Sequence, residues 1–138
     1  MKVVIDTNVV ASAMFFGGRP KELLELLVSH KLEAYASTEI ITEYQETAEE
    51  LCSRYPDKPV RLPLTAIIAA MRMIEPTSAI NVCRDPDDDR FIECAVDAKC
   101  LYIVSGDKDL LSLENYGEVQ IVTVSEFLSM EMSRKVEP

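Results

Sequence analysis

Short runs of apolar residues alternate along the chain with longer stretches in which apolar residues recur every three or four positions. Such runs, rich in β-branched residues, are typical of strands that are buried on both faces of a parallel sheet. On this basis we predict strands at Lys2 to Asp6, Glu33 to Ala36, Ser78 to Cys83, Leu101 to Ser105 and Val119 to Val122.

The stretches with helical spacing lie between these runs. Helices are predicted at Lys21 to Ser29, from Ser37 through Leu51, at Pro63 to about Met73, from the acidic segment after Cys83 to Lys99, at Lys108 to Leu113 and from about Ser125. Alternating strands and helices imply right-handed crossovers and a parallel sheet covered on both faces. The predicted fold class is α/β, a three-layer α/β/α sandwich with a central, mainly parallel sheet of roughly four to five strands. We expect residues 1–138 to form one domain.

Acidic residues occur where this fold gathers functional groups, beyond the carboxyl ends of the strands. Asp6 ends the first strand and Asp107 follows a later one, while Glu43 lies in the helix after Ser37. The segment CRDPDDDRF, residues 83–91, begins the helix before the strand that leads to Asp107. Because that helix runs antiparallel to the strand, its start is expected near Asp107.

Carboxylates packed together raise one another's pKa values, and a divalent cation removes that cost. Oxygen ligands without accompanying histidine or cysteine favour Mg²⁺ or Mn²⁺, ions that orient water and offset phosphate charge. Each acid also has a structural interpretation. Asp6 and Asp107 could cap turns or helices, and Glu43 is one of five glutamates on its helix.

The aspartate cluster divides by expected role. Asp85 before Pro86 fits a helix cap followed by proline at the first helical position, and Asp87 is also expected to be structural. Asp88 and Asp89 are in helical phase with a later apolar residue, so they are the better ligand candidates.

A calcium-binding EF-hand loop starting at Asp85 is excluded. The glycine that this loop requires is replaced by Arg90, and its closing glutamate by Val96.

The chain carries 14 basic and 24 acidic residues, a net charge of −10, which disfavours loose electrostatic binding to nucleic acid. An anionic substrate would need a local countercharge. The four cysteines form no CxxC pair and are expected to be reduced thiols in or near the core, and His30 has no visible nucleophile partner. No apolar run is long enough to span a bilayer or act as a secretory signal, so we expect a cytoplasmic protein.

With these acids placed, the chain resembles a PIN (PilT N-terminus) domain, and within that family the VapC-like toxin ribonucleases. The matching segments are VVIDTNVVASA, STEIITEYQE, DPDDDRFIECA and YIVSGDKDLL. The resemblance implies that Asp6, Glu43, Asp88 or Asp89, and Asp107 bind metal and act in catalysis, and that Asn8 and Ser105 support the site. Asp89 lies 18 residues before Asp107, a spacing common in related domains, so spacing favours Asp89 while Asp88 is kept.

The resemblance further implies a Mg²⁺- or Mn²⁺-dependent endoribonuclease, often a homodimer or higher homo-oligomer, that a small antitoxin protein inhibits. Arg90 and Lys108 directly follow candidate ligands and are expected to contact the RNA substrate.

Two other functions are weighed against this one. A haloacid-dehalogenase-type phosphatase would need a second aspartate where Asn8 stands. A non-catalytic PIN-like module that binds RNA or protein is the alternative that remains open.

Overall fold

The computed structural model describes the backbone of residues 1–136 and the side chains of residues 1–133. Its strands are β1 (Lys2–Ile5), β2 (Glu33–Ala36), β3 (Arg72–Met73), β4 (Tyr102–Val104), β5 (Asn115–Tyr116) and β6 (Val119–Val122). Its α-helices are α1 (Thr7–Phe15), α2 (Gly18–Val28), α3 (Thr38–Arg54), α4 (Leu64–Ala70), α5 (Asp89–Ala98), α6 (Lys108–Ser112) and α7 (Val124–Val136), and a 3₁₀ turn at Pro86–Asp88 precedes α5.

The six strands form one sheet in the order β3-β2-β1-β4-β6-β5. All pairs are parallel except the β5–β6 pair, which is a short antiparallel hairpin. In β1 the side chains of Val3, Val4 and Ile5 are all 0% exposed, so both faces of this central strand are covered. The predicted α/β class with a mainly parallel sheet flanked by helices is therefore confirmed.

The strand count exceeds the expected four to five. The two additional strands, β3 and β5, contain two residues each and lie at the two edges of the sheet. Strands this short give no readable alternation of apolar and polar residues. The predicted helix from Pro63 also ends earlier than expected, at Ala70, because the chain extends there into β3.

The predicted strand from Ser78 to Cys83 is wrong. This segment has no regular structure in the described chain, and its amides bond to carboxylates of α5 instead of to a neighbouring strand. Asp97 accepts from Ser78 N, Glu93 accepts from Ile80 N, and Asp89 accepts from Val82 N and Cys83 N. Carboxylate side chains of α5 thus hold residues 78–83 alongside that helix.

Helix α1 was not predicted. It begins at Thr7, directly after the residue that ends β1, and seven of its nine residues are buried. A helix that is apolar nearly all round lacks the polar face that makes helical spacing visible in a sequence.

The four cysteines form no disulfide. Cys94 and Cys100 are buried and Cys83 is half-buried, whereas Cys52 on α3 is exposed. The expectation of reduced thiols in or near the core therefore fits three of the four.

Candidate active site

A polar cavity of about 220 Å³ opens beyond the carboxyl ends of β1 and β4. It is lined by Asp6, Thr7, Asn8, Glu43, Thr47, Asp85, Asp88 and Asp107. The parallel arrangement of β1 and β4 brings the ends of both strands to the same edge of the sheet. Residues from four separate segments of the chain therefore meet at one place.

Asp6 extends β1 by one residue, since its amide donates to the Val104 carbonyl at 2.9 Å. Its side chain is only 5% exposed, and Oδ2 accepts a 2.6 Å hydrogen bond from the Ser105 hydroxyl. The Ser105 oxygen in turn accepts from the Asp107 amide at 3.0 Å. Ser105 thus links the acid that follows β1 to the segment that follows β4.

Glu43 reaches the cavity from α3. The start of this helix is capped by Ser37, whose hydroxyl oxygen accepts from Ile40 N at 3.3 Å. One residue beyond Glu43, the Tyr44 hydroxyl donates to the Ile5 carbonyl at 2.5 Å and fixes α3 against the end of β1. The Thr7 hydroxyl donates directly to Glu43 Oε2. These bonds hold Glu43 beside Asp6.

The 3₁₀ turn before α5 decides which aspartates reach the cavity. Asp85 caps it, accepting from Asp87 N at 3.0 Å, and Pro86 is its first residue, as predicted. Residues three apart eclipse one another in a 3₁₀ helix. Asp85 and Asp88 therefore both line the cavity.

Asp89 does not line this cavity. Its side chain is 6% exposed, and Oδ1 accepts from Val82 N at 3.1 Å and from Cys83 N at 2.8 Å. Burial alone would raise the Asp89 pKa, but these amide hydrogen bonds outweigh it and lower the pKa. The structure therefore places Asp88, and not the Asp89 that spacing favoured, among the cavity acids.

Asp107 has two roles in the structure. It lines the cavity, and its Oδ2 accepts from Leu110 N at 3.2 Å, which caps α6. Lys108, the next residue, is exposed.

The Arg90 side chain is surrounded by acidic side chains and does not line the cavity. Its Nη1 is 3.8 Å from Glu43 Oε1, its Nε is 3.9 Å from Glu39 Oε2, and its Nη2 is 3.3 Å from Asp87 Oδ1. Its Nε is buried without a hydrogen-bond partner. Arg90 consequently packs between α3 and α5 and balances the charge of Glu43.

Burial and neighbouring carboxylates raise the pKa values of Asp88 and Asp6. The pKa of Asp88 is raised to about 7 by partial burial and by the charges of Asp107 and Asp6. Burial is also the main reason that the pKa of Asp6 is raised, with Glu43 and Asp107 adding to the effect and the Ser105 hydrogen bond opposing it. The cavity therefore favours uptake of positive charge, as protons or as a cation.

The donor chemistry fits a hard divalent cation, because the lining atoms are carboxylate, amide and hydroxyl oxygens. Among the side chains that the structure describes, residues 1–133, no three acidic, histidine or cysteine side chains are already arranged around one point as an ion requires.

Three residues that line the cavity were not among the predicted site residues: Thr7, Thr47 and Asp85. Thr7 adjoins Asp6, and Thr47 lies one helical turn after Glu43, so proximity in sequence or helical phase is the signal that would have identified them. The predicted support residues Asn8 and Ser105 both lie at the site, Asn8 in the cavity wall and Ser105 beneath Asp6.

Among the helices in the described part of the chain, none combines the length and apolar character needed to cross a membrane.

Comparison with known proteins gives a family and one relative. The sequence model of a family described as PIN domain matches residues 2–109, well over half of the chain. An uncharacterized protein of Methanocaldococcus jannaschii is 38% identical over 119 residues, covering 83% of this chain and 76% of that protein. No solved structure matches significantly. The family match supports a nuclease-type hydrolase and extends over all five acids of the cavity.

Proposed function

The chain belongs to the PIN domain family, and from this membership we propose that it is a Mg²⁺- or Mn²⁺-dependent endoribonuclease. The observation that carries the proposal is that Asp6, Glu43, Asp88 and Asp107 line one cavity at the carboxyl edge of a parallel sheet. The reaction is hydrolysis of an RNA phosphodiester bond. Water attacks phosphorus, one P–O bond breaks, and the leaving oxygen takes up a proton.

Asp6, Asp88 and Asp107 are the residues that would hold the cation. Asp6 is oriented by the Ser105 hydroxyl and Asp107 by the Leu110 amide, and Asp88 carries the pKa raised to about 7 that a cation would lower. When bound, a divalent ion offsets the negative charge of the scissile phosphate and activates water. Asp89 keeps its two amide hydrogen bonds and stabilises the segment before α5.

Glu43 is the fourth acid, and its contacts differ from those of the others. It is bonded to Thr7 and balanced by Arg90. A carboxylate held in this way can orient a water molecule or complete the ligand set at the edge of the cavity. Asn8, exposed beside the cavity, contributes an amide that can donate to a phosphate oxygen.

The direct test is cleavage of defined RNAs by the purified protein with Mg²⁺, with Mn²⁺ or with chelator, mapped at nucleotide resolution. Cleavage is expected with metal only, and Asp6→Asn is expected to abolish it while the circular dichroism spectrum stays unchanged. Glu118→Gln is the matched control, because Glu118 lies in the β5–β6 turn at the amino-terminal end of β6, away from the carboxyl ends where the cavity lies. Undiminished cleavage by D6N would contradict the assignment.

The same protein can be titrated with Mn²⁺ to separate an enzyme from a non-catalytic PIN-like module. A ligand that binds only the folded state raises the melting temperature with concentration. A Mn²⁺-dependent rise that is lost in D6N supports the nuclease, whereas no rise and no cleavage support a binding module.

The biological role we propose is that of the toxin in a toxin–antitoxin system, acting in the cytoplasm as a homodimer or higher homo-oligomer and covered at its site by a small antitoxin protein. This role rests on the VapC-like segments that contain Asp6, Asp88 and Asp107. Growth arrest on expression of the wild type but not of D6N, relieved by the product of a neighbouring small gene, would support it.

A further inference from the structure

The exposed side of α1 leads away from the acidic cavity. Seven of its nine residues are buried, and the other two, Asn8 and Ser12, lie four positions apart on one face. Phe16, four positions further on, ends the same row and is 52% exposed. Asn8 lines the cavity, and Phe16 lies about 12 Å from it along the helix axis.

Helix α3 packs beside α1 and also extends away from the cavity. Glu43 and Thr47 line the cavity, and the helix ends at Arg54, followed by Tyr55, which is 45% exposed. Thr47 and Tyr55 are again about 12 Å apart along the axis. Both helices therefore extend from the cavity to an exposed aromatic residue over the same distance.

The segment from Tyr55 to Pro63 joins these two ends. The Arg61 amide donates to the Met14 carbonyl at 2.7 Å, which holds the segment against the last turn of α1. The Lys58 ammonium lies 4.4 Å from the centroid of the Phe16 ring. The Arg61 side chain packs against Gly17. A Cβ atom added to Gly17 would lie 3.5 Å from Arg61 Cδ and Nη1, which is van der Waals contact. Phe16, Lys58 and Arg61 are thus collected at one end of α1, and the exposed Tyr55 begins the segment that carries the two cations.

We call this surface the α1 ridge and define it by Asn8, Ser12, Phe16, Tyr55, Lys58 and Arg61. The chain as a whole carries a charge of −10, so a place where cations and exposed aromatic rings coincide is unusual for it. Aromatic rings stack on bases and cations contact phosphates, which is the combination found on surfaces that bind single-stranded nucleic acid.

We propose that the α1 ridge binds single-stranded RNA, so that a strand whose scissile phosphate lies in the cavity continues past Ser12 to Phe16 and Tyr55. That the bound nucleic acid is RNA rests on the proposed function. A single strand is favoured over a duplex because only unpaired bases present free faces for stacking. Lys58 and Arg61 supply the countercharge that the acidic cavity lacks. The two cations favour an anionic occupant, and the exposed aromatic rings favour one that presents unpaired bases.

Binding is measured by fluorescence anisotropy of a labelled single-stranded RNA with chelator present, so that no cleavage occurs. Phe16→Ala and Lys58→Gln are each expected to weaken binding about ten-fold. The slope of log K against log salt should fall by about 0.7 for each cation removed. Leu101→Ala, 50% exposed at the opposite edge of the sheet, and Lys31→Gln are the matched controls and should bind as the wild type. If F16A does not fold, Arg61→Gln replaces it.

Cleavage assays with Mn²⁺ separate this inference from the proposed function. For a long RNA, the variants F16A and K58Q should raise KM with little change in kcat, and for a fragment too short to reach Phe16 they should have no effect. If the wild type cleaves RNA and both variants bind RNA as the wild type does, RNA binding by the α1 ridge is overturned and the nuclease assignment stands. If F16A and K58Q weaken RNA binding but the wild type cleaves no RNA, binding by the α1 ridge is supported and the nuclease assignment is overturned. Absence of RNA binding by the wild type would overturn the ridge.

Discussion

The Ser105 hydroxyl donates a 2.6 Å hydrogen bond to Asp6 Oδ2, joining the ends of two neighbouring parallel strands inside the protein. Ser105 is 0% exposed, and its oxygen also accepts from the Asp107 amide. One hydroxyl therefore orients an acid from each side of the cavity. Groups that orient metal ligands in this way commonly change metal affinity or activity by about 10- to 100-fold when they are removed.

Ser105→Ala is accordingly expected to lower RNA cleavage by about 10- to 100-fold and to raise the Mn²⁺ concentration needed for half-maximal rate. The reason is that Asp6 loses the hydrogen bond that fixes its orientation. Ser112→Ala removes a hydroxyl that donates to the Asp109 carbonyl on the exposed side of α6, and it serves as the control. Equal metal dependence in S105A and S112A would contradict this role.

Asp88 and Asp89 are adjacent, and their replacement should have opposite consequences. Asp88→Ala removes a cavity acid and should abolish the rise in melting temperature that Mn²⁺ produces, with little loss of stability in its absence. Asp89→Ala removes the acceptor for two backbone amides, Val82 N and Cys83 N. It should lower the free energy of unfolding by about 1–3 kcal/mol while the Mn²⁺ effect persists.

Thermal melts of both variants with and without Mn²⁺ make the distinction. A Mn²⁺ effect that survives in D88A and disappears in D89A would restore the assignment that sequence spacing favoured.

The positions of these residues show how far the sequence predicted the site. Asp6 and Asp107 could be placed because each follows a run of consecutive apolar residues, and parallel strands present their carboxyl ends at one edge. Asp88 and Asp89 could not be separated, since a 3₁₀ turn ends between them and changes the angle per residue. Helical phase marked both Asp88 and Asp89 as ligand candidates, but it did not identify that Asp89 is buried and accepts from backbone amides.

Two features that sequence patterns did not predict correctly have separate physical causes. Thr7 begins a helix that is apolar on nearly all sides, so no periodicity marks it. The segment from Ser78 to Cys83 has the composition of a strand, yet its amides are satisfied by Asp97, Glu93 and Asp89 from α5. Side-chain acceptors on the following helix leave no signature within the segment itself.

The raised carboxyl pKa values make the metal-free protein sensitive to pH. Asp88 has a pKa of about 7 when folded, against 3.8 in an ordinary environment. A group whose pKa is raised on folding contributes stability at low pH that is lost as the pH rises through its folded pKa. The free energy of unfolding with chelator present should therefore fall from about pH 5 to pH 8.

Urea denaturation at a series of pH values checks this, with Asp88→Asn as the comparison. The decline should be smaller in D88N, and saturating Mn²⁺ should reduce it in the wild type because the cation replaces the proton. A pH dependence that is the same in the wild type and D88N would show that Asp88 is not its source.

Arg90 and Lys108 both follow cavity acids in sequence, but the structure gives them different surroundings. The Arg90 guanidinium lies 3.8 Å from Glu43 and is only 23% exposed, whereas Lys108 is exposed. Arg90→Gln should therefore lower kcat for RNA cleavage, by about ten-fold, because Glu43 loses its balancing charge, and it should leave the salt slope of RNA binding unchanged. Lys108→Gln should reduce that slope by about 0.7 with little change in kcat. Arg90→Lys, which keeps the charge but loses the planar fork, is expected to recover part of the lost kcat. A reduced salt slope in R90Q would instead make Arg90 a direct contact to the RNA backbone, as its place in the sequence alone would predict.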